Sequence, residues 1–66
     1  MVTNAHLFSN VTLTRDVGGH RAGDTGVLVD LDAEGRAVVE FGEGRWLEMI
    51  SATDAVPAVP VDTPAA

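Results

Sequence analysis

The chain has 66 residues and no cysteine, and its ten acidic side chains outnumber four basic ones for a formal net charge of −6. That length allows one domain, which buries only ~60% of the surface its unfolded form exposes, and the cysteine count excludes a disulfide framework or a zinc–thiolate site. The negative balance repels phosphate backbones and anionic membranes, and suits a soluble protein or one that meets a basic patch on a protein partner.

Residues 1–7 read as an N-terminal extension. "MVTNAHLFSN" lacks the basic start and continuous apolar run of a secretory leader. No apolar run approaches the ~20 residues of a membrane helix. A cytoplasmic protein is the expectation.

From residue 8 to residue 56 the apolar positions repeat with period two, which predicts strands. "VTLTRDV" places Val11 and Leu13 on one face and is rich in the valine and threonine that pleated surfaces favour. "DVGGHRAGD" is a long glycine-rich loop. "TGVLVDL" predicts a second strand with Val27, Val29 and Leu31 inward, and Leu28 on the opposite face implies partial cover on both sides. "DAEG" is a hairpin turn. "RAVVEF" returns with Ala37, Val39 and Phe41 inward. After the tight turn "GEG", "RWLEMIS" predicts a fourth strand. Glu48 asks for water, so Leu47 and Met49 are expected inside and Trp46 half exposed. "ATDAV" suggests a single turn held by Thr53 or Asp54, then a short closing strand at Ala55 and Val56. The proline-rich end, residues 57–66, is expected to be a flexible tail.

The expected core is Val11, Leu13, Val27, Val29, Val39, Phe41, Leu47 and Met49. Gly23 and Gly26 are expected to let the chain bend into a strongly curved sheet, with Asp24 capping turn amides.

The order of these segments is similar to the KOW-like, SH3-like small barrels, and resembles most a family of stand-alone bacterial mini-proteins with no established activity. Asp16, Gly23, Gly26, Val27, Val29, Val39, Glu40, Phe41 and Gly44 carry the likeness, over residues 8–56. It implies an all-β fold, a small five-stranded SH3-like barrel followed by a disordered tail. Function does not follow from it, because such barrels host ribosomal, transcriptional and enzyme-accessory roles.

Catalysis finds little support in the residues. Ser9, Ser51 and several threonines are the only nucleophiles, and neither His6 nor His20 lies on a predicted rigid frame with a third, orienting group. Asp16, His20 and Asp24 recur at intervals of four, but the glycine pair between them argues against the helix that would align them on a metal. No cofactor is expected. "PAVP" matches a P-x-x-P pattern that proline-rich ends produce by chance. RNA binding, through Arg15, His20, Arg21, Arg36 and Arg45 around Trp46, is the alternative that the KOW-type likeness raises. The acidic balance opposes it. The favoured expectation is a non-catalytic protein-binding module, an accessory subunit or antidote-type partner of a larger protein, with a homo-oligomer as a further possibility. Arg45, Trp46, His20 and Arg21 are the expected partner-binding residues, since tryptophan and arginine are the commonest interface anchors.

Overall fold

A computed structural model describes residues 1–58. The chain forms five strands, β1 (Asn10–Leu13), β2 (Thr25–Leu31), β3 (Arg36–Phe41), β4 (Trp46–Ser51) and β5 (Ala55–Pro57), with 3-10 turns at Asn4–His6 and Ala52–Asp54. No described helix is long and apolar enough to cross a membrane. The strands make one antiparallel sheet in the order β4-β3-β2-β1-β5. The first and last strands therefore lie side by side, with Leu13 opposite Ala55, while β4 and β5 end the sheet without pairing to each other.

Local chemistry sets each connection. In the β2–β3 turn the Asp32 carboxylate accepts the Glu34 and Arg36 backbone N–H groups and the Arg36 Nε at 2.7 Å. The Arg36 backbone N–H, then its guanidinium, hold the Asp32 carboxyl below its ordinary value. After β4, Ser51 Oγ caps the Thr53 N–H and the Asp54 carboxylate accepts the Ser51 N–H. This is a reciprocal capping box, in which Asp54 and Ser51 share the role expected of Thr53 or Asp54.

The core is Val2, Val11, Leu13, Leu28, Ala37, Val39, Phe41, Ile50, Ala52 and Ala55, with Leu7, Val17 and Leu31 packed on it. Val2 comes from the stretch read as an extension; its N–H donates to the Ala52 carbonyl at 3.0 Å, which ties the N-terminus to the end of β4. From residue 59 the proline-rich end lies outside the described residues, whereas Ala58 still donates to the Asn10 carbonyl.

Two strands present the opposite face from the one expected. In β2, Leu28 is fully buried and Val27 and Val29 are only half buried. The register explains it: Leu28 faces Val39 and Asp30 faces Val38, which leaves Val29 as an extra, unpaired residue. Such a bulge shifts the phase of the strand, so Leu28 and Leu31, three apart, both reach the core. In β4, Ile50 is buried while Leu47 and Met49 are 61% and 63% exposed. Leu47 and Met49 are therefore removed from the expected core, and Trp46, Glu48 and Ile50 turn inward.

Gly26 makes the sheet's close approach possible. A Cβ there would lie 2.6 Å from Val39 Cγ1 and 2.7 Å from the Glu40 carbonyl oxygen. Its role is room for the facing strand, whereas Gly23 sits in open space at φ +96° and serves the loop's backbone path.

Candidate functional site

The loop of residues 14–24 folds back over one end of the sheet. Val17 and His20 exchange both backbone hydrogen bonds, at 3.0 and 2.9 Å, so Gly18 and Gly19 form the tip of a minimal hairpin. Gly18 has φ +57°. Asp16 Oδ1 accepts the Ala22 N–H, and Asp24 Oδ2 accepts the Arg21 N–H, as expected of a turn cap. Leu13 and Asp24 close the base of the loop with a 2.9 Å backbone bond. These bonds turn a glycine-rich segment into a fixed flap.

The flap delivers His20 onto the inner face of β3 and β4. Its ring stacks on Phe41 at 4.0 Å between centroids and 17° between planes, and meets the edge of Trp46 at 5.2 Å. The His20 side chain is 12% exposed. Stacking of this kind adds about 0.5–1.5 kcal/mol to simple area burial. Nε2 of His20 is buried without a hydrogen-bond partner, 3.7 Å from Glu48 Oε1, and Nδ1 lies 4.0 Å from Asp24 Oδ2.

Glu48 points inward because this corner receives a carboxylate. Trp46 Nε1 donates to Glu48 Oε1 at 3.2 Å. Gly18 supplies the space: a Cβ there would lie 2.7 Å from Glu48 Oε2. Indole, imidazole and glycine thus surround a charge that the sequence pattern assigns to water. Burial of a carboxylate costs free energy unless such partners are present, and at 24% side-chain exposure Glu48 is only partly withdrawn from solvent.

Of the four expected partner-binding residues, the structure brings His20 and Trp46 into contact. Arg21 follows His20 on the flap and Arg45 precedes Trp46 at the β3–β4 turn; both are exposed. Among the described residues neither arginine makes an ion pair, whereas Arg15 pairs with Asp54 and Arg36 with Asp32 and Glu34. Asp16, His20 and Asp24 do not assemble, and no three His, Asp or Glu side chains among the described residues converge on a metal position. His6 Nδ1 accepts the Thr3 N–H and completes the cap of the first 3-10 turn.

The sequence reading missed the other side of β4. Leu47 and Met49 stand on the outer face of the sheet, while Trp46, expected to be partly exposed, is 54% exposed at the rim. Met49 lies opposite half-buried Val38, and Leu47 opposite Glu40, which in turn faces Val27. An apolar strip therefore runs from the free edge toward the middle of the outer face, with Glu40 within it. The available signal was the alternative phase of "RWLEMIS", with Ile50 rather than Leu47 and Met49 as the anchor. Compared with protein-family models, curated proteins and solved structures, the chain matches none.

Proposed function

We propose that the protein is a non-catalytic protein-binding module of the SH3-like, KOW-like barrel type, acting in the cytoplasm as an accessory subunit or antidote-type partner of a larger protein. The barrel reading is supported by the link between the sheet's two edges: β4 and β5 lie at opposite ends of the strand order yet are joined by Ala52–Asp54 alone, a span that requires the sheet to curl. The observation that carries the function is β4: a strand at the end of the sheet that exposes Leu47 and Met49 side by side on the outer face and Trp46 at the rim. Large apolar side chains grouped on a surface mark interaction sites, whereas single ones do not. Arg45 beside Trp46 supplies a second anchor type at the same rim.

RNA is the alternative binding partner, and the formal charge of −6 argues against it. Affinity capture of the tagged chain from its native host, with the Arg45→Ala, Trp46→Ala and paired Leu47→Ser, Met49→Ser variants beside it, tests the reading. A protein retained by the parent and lost from the variants is the expected result. Micromolar binding to single-stranded RNA that falls steeply with salt, and is lost on Arg21→Ala, would replace this reading with the nucleic-acid one.

A further inference from the structure

We propose that the free edge of β4 receives an extended segment of another protein in which basic residues alternate with apolar ones. This rests on the protein-binding reading and names the chemistry of the partner.

Three features of β4 point to strand addition. It pairs with β3 alone, through six consecutive residue pairs without a bulge. It contains neither proline nor lysine, two of the residues that commonly blunt an edge. Among the described residues no loop backbone bonds to it. An edge of this kind presents unpaired backbone donors and acceptors to an incoming strand.

The side chains specify what that strand carries. Residues directly opposite in a sheet share a face. Leu47 and Met49 ask for apolar residues on the outer face. Between them Glu48 occupies the inner face, and its Oε2 accepts no hydrogen bond among the described residues. The incoming residue opposite Glu48 therefore sits beside a partly exposed carboxylate whose Oε2 packs against Gly18 without a hydrogen-bond donor, and a lysine or arginine at that position pairs with the charge. The alternation of the pleat turns these demands into one pattern: apolar, basic, apolar.

The same carboxylate selects against a second copy of this chain. A twofold pairing centred on Glu48 places it against its own copy. Sliding by two residues sets Glu48 opposite Trp46 or Ile50 of the copy, and the two carboxylates remain diagonal neighbours, about 7–8 Å apart. An inward charge on an edge strand is a known barrier to self-pairing, and each copy adds a further charge of −6.

The test titrates the ¹⁵N-labelled full chain with two blocked heptapeptides, one alternating lysine with valine and one alternating glutamate with valine. The lysine peptide is expected to shift the amides of residues 46–51 and to bind at least about tenfold more tightly than the glutamate peptide, the effect of one well-placed charge pair. Glu48→Gln is expected to remove most of that preference. Paired Leu47→Ser and Met49→Ser, at positions already exposed, are expected to weaken both peptides. The proposal is overturned if neither peptide perturbs β4, if Glu48→Gln leaves the preference intact, or if sedimentation shows a dimer whose β4 amides become protected with concentration. Should the peptides fail while a captured protein is still lost from the Leu47 and Met49 variant, the strand proposal falls and the protein-binding reading stands. If both fail, both fall.

Discussion

Replacing Leu28 and, separately, Val29 with alanine measures the register of β2 directly. Leu28 has no solvent exposure and sits at the centre of the core, opposite Val39. Its truncation removes the transfer free energy of three carbons and leaves a cavity, which together cost about 2–5 kcal/mol. Val29 is the unpaired bulge residue and half buried, so its truncation is expected to cost about 1 kcal/mol or less. At about 0.05–0.15 kcal/mol per residue, a chain of 66 residues holds about 3–10 kcal/mol in total. Leu28→Ala therefore consumes much of the stability, and Val29→Ala leaves most of it. Urea unfolding followed by Trp46 fluorescence and by circular dichroism reads both midpoints. Leu28→Val, expected to cost about 1 kcal/mol, keeps the comparison measurable if Leu28→Ala does not fold. A larger loss from Val29→Ala than from Leu28→Ala would refute the inverted register and restore Val27 and Val29 as buried beside Leu31.

The two glycines of the β2 entry should respond differently to alanine. Gly26→Ala drives a Cβ into Val39 and the Glu40 carbonyl and is expected to cost about 1–3 kcal/mol, with Gly26→Val worse; an unchanged melting temperature in Gly26→Val would remove the close-packing argument. Gly23→Ala meets no atom within 4 Å but keeps φ +96°, so a loss of about 1–2 kcal/mol from backbone strain alone is expected, and a stabilised variant would contradict it. Gly18→Ala combines strain with a clash against the Glu48 carboxylate and should loosen the flap, seen as faster amide exchange at Val17 and His20; unchanged exchange would mean that the flap does not depend on that packing. Asp32 carries a lowered carboxyl value in the folded chain. Its stabilising contribution is complete above the ordinary aspartate value near 3.9 and is lost as pH falls through the lowered one. The stability gap between the parent and Asp32→Asn should therefore be widest near neutral pH and close under acid, and a gap that widens under acid would reverse the assignment.

The sequence by itself determined the element list. Period-two apolar alternation and turn residues located the four longer strands, and β2 and β3 occupy the stretches that the pattern marked, Thr25–Leu31 and Arg36–Phe41. These features are local: propensity, turn chemistry and a reciprocal cap act within a few residues of chain. The first strand ends at Leu13, earlier than its valine–threonine run implied, because Leu13 and Thr14 turn their N–H groups to Asp24 and Asp54. The faces of β2 and β4 were decided elsewhere. In β2, one unpaired residue at Val29 reverses the phase for everything before it, and a bulge exists only relative to a facing strand. In β4, alternation permits two phases, and hydropathy alone favours sending Glu48 to water with Leu47 and Met49 inside. The opposite phase wins because a flap about thirty residues earlier in the chain brings a bare glycine and an imidazole to the corner where the Trp46 indole N–H donates to Glu48. Once Glu48 has that corner, Ile50 fills the core and Leu47 and Met49 are left on the outer face of an open edge. The sequence lists the residues of the candidate surface, and the tertiary fold decides which of them point out, because the cost of turning a carboxylate inward depends on partners that only folding supplies.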